Sequence, residues 1–294
     1  MEVREGTNSE KGEIEMKCFH HNDLDGRCAA AIVKRYWKNC EFDGIGEEYI
    51  ELDYKDKIYI EEIVPQETIN IVDFSFKPDV MEKIFELTKN VIWIDHHKTA
   101  KDYPYQHLKG LRDFTDKSMS GCELAWKYFF PDEIIPQAVI LIGDYDKWAL
   151  KHQPKCFQFY EGLKMEITLP DSPLWVSLLS GDINLESKIL IQGKSAIKYR
   201  DNYCDKICND FGYEIEWEGY KAFATNFYQF GSKGFGFRVE EYDFCIAYIH
   251  DGQKFTVSLY SVKDIDVSQI AKKYGGGGHK GAAGFITKEL PFIK

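Results

Sequence analysis

Three short β-rich runs in the first hundred residues each end in carboxylates or imidazoles, and helical stretches separate them. Lys17-Cys-Phe-His-His21 runs into Asn-Asp23-Leu-Asp25-Gly26, Thr68-Ile-Asn-Ile-Val runs into Asp73, and Val91-Ile-Trp-Ile94 runs into Asp95-His96-His97. Ala29 to Trp37 and Val80 to Lys89 read as helices between them, and Gly121 to Phe130 and Pro136 to Gly143 read as helices further on. Strand–helix alternation of this kind predicts an α/β domain with a mainly parallel sheet flanked by helices. In an open parallel sheet, ligands bind just beyond the carboxyl ends of the strands. The three polar clusters are therefore expected to converge.

The texture changes after the middle of the chain. Glu186 to Asp210 is one long helical pattern, with Ile189, Ala196, Ile197, Tyr203 and Ile207 at helix-like intervals and a stop at Asn209-Asp-Phe-Gly212. Tyr213 to Glu218 then alternates with period two, and Phe244 to His250 and Lys254 to Tyr260 flank an Asp251-Gly252 turn that predicts a hairpin. Asp266, with Gln269 three residues on, is expected to cap a short helix that ends at the glycine run Gly275 to Gly278. The expected layout is a flexible extension over 1–16, a first domain over 17–185, a linker helix over 186–210 and a smaller α/β domain over 211–294.

Composition narrows the function classes. The 294 residues are 44% hydrophobic and 29% charged, a globular rather than a disordered balance. No apolar run is long enough to span a bilayer, and the Glu- and Lys-rich start lacks the apolar core of a signal peptide. A cytoplasmic location without membrane association is expected. The eight cysteines contain no C-x-x-C pair, so zinc-ribbon and thioredoxin-like readings fall away, and Cys204 and Cys208 read as packing residues. The formal net charge is −11, with 15 basic and 14 acidic residues from Glu186 onward, so the excess negative charge lies earlier. Such a chain is a poor partner for long duplex DNA, but it can hold a short polyanion if bound cations invert the local sign. Oligomeric state stays open, a homodimer included.

Carboxylates and imidazoles gathered in one cleft repel and lose hydration unless something neutralises them. Divalent cations do so, and a mixed carboxylate and imidazole set without thiolates favours Mn²⁺ or Mg²⁺ over zinc. Two such ions ~3.5–4 Å apart stabilise both the attacking and the leaving oxygen of an in-line displacement at phosphorus.

His21-Asn-Asp23-Leu-Asp25-Gly26, Val72-Asp73-Phe-Ser75 and Ile94-Asp95-His96-His97-Lys98 resemble the first three motifs of the DHH phosphoesterases. Ala271-Lys-Lys-Tyr-Gly275-Gly-Gly-Gly-His279-Lys-Gly-Ala-Ala-Gly284-Phe resembles the signature of the DHH-associated domain that follows them. The resemblance spans Lys17 to Phe285 and implies a DHH metal-binding domain joined by the linker helix to a DHH-associated domain. It also implies two divalent metal ions. His21 and Asp23 would bind one ion, Asp25 and His96 the other, and Asp73 would bridge them. A fourth-motif aspartate would be Asp146, with Asp144 as the alternative. Asp95 would orient a neighbouring imidazole, and His97 would contact the scissile phosphate or protonate the leaving oxygen.

Gly276, Gly277 and Gly278 let backbone N–H groups approach an anion, and His279 and Lys280 add donors beside it. Many relatives carry an arginine in the preceding strand, where this chain has Tyr260, which offers a stacking surface or one hydrogen bond but no guanidinium fork. Arg238 is the candidate replacement. Ser118-Met-Ser120-Gly121-Cys122 reads either as a substrate contact or as a plain helix cap. The acidic stretch from Glu41 to Glu67 reads as a solvated face, and His20 as pointing away from the ligands.

The expected activity resembles that of the nano-RNase (NrnA- and NrnB-like) branch, degrading very short oligonucleotides or linear dinucleotides to mononucleotides. The alternatives are a small phosphate hydrolase acting on phosphoadenosine phosphate, a cyclic nucleotide or polyphosphate, and a non-catalytic nucleotide sensor on the same fold.

Overall fold

The computed structural model describes residues 16–40, 46–54, 60, 63–115 and 119–292. Of the extension expected over 1–16, residues 1–15 lie outside the described residues, as does the possible contact at Ser118, whereas Met16 is buried at the start of the first strand. The chain divides into two compact units, residues 1–194 and 195–294.

The first unit is built on a four-stranded sheet. Strand β1 (Met16–His21) leads into helix α1 (Leu24–Asn39), and strand β2 (Glu47–Leu52) follows. Then come β3 (Thr68–Val72), α2 (Pro78–Leu87), β4 (Val91–Ile94), α3 (Gly121–Phe129), α4 (Gln137–Asp146), α5 (Lys155–Leu163) and α6 (Pro173–Leu179). All pairings are parallel, in the order β2-β1-β3-β4. The sheet is buried on both faces, as a parallel sheet requires. Phe19, Ile69, Ile71 and Trp93 pack with Phe76 and Met81 on one face, while Cys18, Val72 and Ile94 pack with α1, α3 and α4 on the other.

Two expectations need correction here. The acidic stretch from Glu41 to Glu67 is not simply a solvated face, because its Glu47–Leu52 segment is β2, with Ile50 opposite Phe19 and Leu52 opposite His21. As an edge strand with three glutamates it has little hydrophobic signal of its own, and pairing with β1 decides its conformation. Helix α4 does not stop at Gly143 but continues to Asp146. The glycine is there for space: a Cβ would sit 2.7 Å from both Ser120 Oγ and Glu123 Oε2.

Helix α7 (Ile183–Phe211) starts in the first unit and ends in the second. The second unit has strands β5 (Tyr213–Trp217) and β6 (Tyr220–Thr225), helix α8 (Arg238–Glu241), the hairpin β7 (Phe244–His250) and β8 (Phe255–Tyr260), helix α9 (Val267–Lys273), and strands β9 (Gly277–His279) and β10 (Ala282–Thr287). They form a mixed sheet in the order β5-β6-β7-β8-β10-β9. Asp266 caps α9 by accepting from Ser268 N at 3.0 Å. All eight cysteines are free thiols, and Cys204 and Cys208 are buried.

Candidate metal centre

Because β1, β3 and β4 run parallel, their carboxyl ends lie along one edge. His21 ends β1, Asp73 follows β3 directly, and Asp95 to His97 follow β4. Asp73 leaves its strand at φ 53°, in the left-handed region that aspartate tolerates better than most residues. Its backbone N–H still donates to Ile94 O at 2.9 Å, so the turn and the neighbouring strand fix it together.

The structure brings the six expected ligands together in overlapping groups. His21, Asp23 and Asp73 offer atoms within 4.8 Å of one another, as do Asp25, His96 and Asp146, and a third group joins Asp73, His96 and His97. Asp73 faces both ways: Oδ2 is 4.0 Å from His21 Nδ1, and Oδ1 is 3.1 Å from His96 Nε2. His96 Nε2 is in turn 3.5 Å from Asp146 Oδ2 and 3.7 Å from Asp25 Oδ2. Asp144, the alternative fourth-motif residue, turns away from the cluster and accepts from the Lys151 and His152 backbone N–H groups at 2.9 and 2.8 Å. Those bonds outweigh its own burial and hold its carboxyl below the usual range.

The donor set fits divalent cations on physical grounds. Asp73 is only 1% exposed, and its Oδ1, although 3.1 Å from His96 Nε2, accepts no hydrogen bond. Burial, then the charges of Asp25, Asp23 and Asp146, push its carboxyl well above the ordinary range. Burial and the charges of Asp25 and Asp23 do the same to Asp146. A buried anion with an orphaned oxygen, surrounded by like charges, is stabilised when a cation supplies the missing partner.

Other contacts hold these residues in place. Asp25 accepts from Ser120 Oγ at 2.9 Å, Gly121 N at 2.7 Å and Cys122 N at 3.0 Å, so the start of α3 grips it. The same Ser120 forms a capping box with Glu123, which makes the Ser120 segment a cap that also holds a candidate ligand. Asp95 is fully buried and accepts from His97 Nδ1 at 2.7 Å, from His96 N at 2.8 Å and from the Ser75 hydroxyl. Burial lowers the His97 imidazole, but the Asp95 bond and charge outweigh it and leave it raised. His20 lies outside the ligand groups, buried, with Nδ1 2.8 Å from His21 O.

Sequence reasoning missed three of these features. Ser75 stands two residues after Asp73 and carried no signal beyond that position. The grip of α3 on Asp25 joins residues about a hundred positions apart. Tyr54, two residues beyond β2, has ring contacts to His21 at 5.8 Å and to His97 at 5.9 Å.

In the second unit, Tyr260 lies opposite Ala282, and Ala282 lies opposite His279. Directly paired residues share a face, so Tyr260 and His279 stand on one side of the sheet. A Cβ on Gly276 would collide with the Gly284 carbonyl, and one on Gly278 would lie 2.6 Å from Ala283 Cα, whereas Gly277 faces open space. Lys280 forms an exposed ion pair with Asp264. Arg238 does not serve as a replacement clamp. It is 6% exposed and bonded to Asp205 Oδ1 at 3.0 Å and to Asn209 Oδ1, both on α7.

Residues 16–142 match the N-terminal domain of the DHH family, and residues 242–293 match the DHHA1 domain, more than half of the chain between them. The chain belongs to the DHH family and is a metal-dependent phosphoesterase of that class. An uncharacterised protein of Acanthamoeba polyphaga mimivirus is 28% identical over 97% of this chain and 71% of its own length. Two solved structures share the fold at low identity. A pGpG-specific phosphodiesterase, PggH from Vibrio cholerae, superposes with a TM-score of 0.52 at 10% identity, over 94% of this chain and 93% of the other. The exonuclease RecJ bound to manganese superposes with a TM-score of 0.51 at 14% identity, over 93% and 86%. No helix among the described residues is long and apolar enough to cross a membrane.

Proposed function

We propose that this chain hydrolyses very short oligonucleotides or linear dinucleotides to mononucleotides, using two divalent cations, Mn²⁺ by preference and Mg²⁺ as the alternative. One observation carries the reading: the buried Asp73 carboxylate has an orphaned oxygen and faces two separate ligand groups at once. His21 and Asp23 would hold one cation, Asp25, His96 and Asp146 the other, and Asp73 would touch both. The cations would supply Lewis-acid activation of a water and of the phosphoryl oxygens.

The protein residues do the rest. Ser120, Gly121 and Cys122 fix Asp25 before any ion arrives. Asp95 orients the His97 ring through Nδ1, which leaves Nε2 to contact the scissile phosphate or to protonate the leaving oxygen. Within Gly275 to Gly278, Gly277 has neither a packing clash nor a positive φ to account for its missing side chain, and a bare backbone there permits close approach of a phosphate. Gly276, Gly278, His279, Lys280 and Tyr260 would complete that contact.

A short substrate is supported by the acidic chain, with its net charge of −11. The shared fold with a pGpG-specific phosphodiesterase points the same way. The test incubates the protein with Mn²⁺ and a labelled RNA dinucleotide beside a labelled 24-mer. Rapid mononucleotide release from the dinucleotide, slow attack on the 24-mer and an inactive Asp73→Ala control are expected. A protein that cuts polyphosphate or phosphoadenosine phosphate but not the dinucleotide would overturn the reading.

A further inference from the structure

Tyr54 stands at the same edge of the sheet as the metal-site residues. Strand β2 runs parallel to β1 with Leu52 opposite His21, so the chain two residues further on emerges beside that histidine. One face of the Tyr54 ring is stacked on Phe74, at 4.7 Å and 20° between planes. Phe74 is buried and set edge-on to Phe76 at 5.3 Å, which is set edge-on to Phe19 at 5.2 Å. The tyrosine is thus backed by a rigid aromatic pile reaching into the core, yet it remains 51% exposed. The ring also lies 5.8 Å from His21, tilted at 46°, and 5.9 Å from His97 at 77°, the imidazoles on either side of Asp73.

A half-open aromatic ring with a fixed back is a stacking surface that loses little freedom when a second ring settles on it. Inorganic phosphates have no use for it. A nucleotide does, because its base and its phosphate are joined through one sugar. We propose that Tyr54 stacks on a nucleobase of the substrate and thereby makes the metal centre selective for nucleotides over base-free phosphate esters. This rests on the phosphodiesterase reading above and names the group that would recognise its substrate.

Equilibrium binding of AMP and of ribose 5-phosphate to the full-length, Mn²⁺-loaded protein reads the stack without turnover. The intact protein should prefer AMP by about 10- to 100-fold, the range expected for one base–aromatic stack. Tyr54→Ala should lose most of that preference, and Tyr54→Phe should keep it, with all three proteins melting cooperatively. An equal preference in Tyr54→Ala, or none in the intact protein, would overturn the proposal. Dinucleotide cleavage is scored on the same samples. Cleavage without base preference removes the stack and keeps the phosphodiesterase. A Tyr54-dependent preference without cleavage keeps the stack and removes the phosphodiesterase.

Discussion

Asp144 and Asp146 are two residues apart on the last turn of α4 and have opposite relations to charge. Backbone donors satisfy Asp144, whereas Asp146 faces Asp25 and His96. Asp144→Ala should therefore destabilise the fold by about 2–3 kcal/mol, as expected for hydrogen bonds to a buried charged group. Because the folded-state pKa of Asp144 is depressed, its contribution is fully present above the ordinary carboxylate pKa of about 4 and is lost as pH falls through the folded value. The stability gap between the intact protein and Asp144→Ala should be widest at neutral pH and close in acid. Asp146→Asn should behave in the opposite way. Removing a half-buried anion repelled by its neighbours leaves the melting temperature in EDTA unchanged or higher, while dinucleotide hydrolysis falls at least about 100-fold. Chemical denaturation across pH, read beside activity, checks both. A neutral Asp144→Ala, or an Asp146→Asn that melts at lower temperature yet binds metal normally, would reverse the assignment.

At the scale of elements, the site depends on how closely α3 approaches the end of β3. A Cβ on Gly121 would lie 2.5 Å from Asp73 Oδ1, and the same residue donates its N–H to Asp25. Gly121→Ala is expected to leave the fold intact and lower turnover by about 100-fold, the effect of displacing reacting groups by roughly 1 Å. Unchanged turnover with an unchanged melting temperature would show that the approach is not needed.

Elements also show what could be read in advance. β1, β3 and β4 announced themselves through apolar runs closed by polar clusters, and the hairpin β7–β8 through Asp251-Gly252. Strand β2 did not, since Glu47, Glu48 and Glu51 mask an edge strand whose conformation is set by pairing with β1. Tyr54 was missed with it, because only the register of β2 brings that residue to the edge of the sheet. Five of the six candidate ligands were legible because strand ends concentrate them, whereas Asp146, on the last turn of α4, was legible only through the family resemblance, with Asp144 as the alternative. The grip of Ser120, Gly121 and Cys122 on Asp25 was not, because packing of the start of α3 against the start of α1 creates it.

Over the whole molecule, the first unit carries buried negative charge that only a cation can neutralise well. Its stability and its chemistry should therefore respond to the same ion. Saturating Mn²⁺ is expected to stabilise the protein by about 4 kcal/mol per bound ion at a thousandfold excess over Kd.

The most direct test is calorimetric titration of Mn²⁺ into the metal-free protein and into Asp73→Asn. Two bound ions per chain are expected for the intact protein. In Asp73→Asn both sites should weaken, and dinucleotide hydrolysis should be lost with them. One ion per chain, or two ions bound undiminished by Asp73→Asn, would contradict the shared role assigned to Asp73.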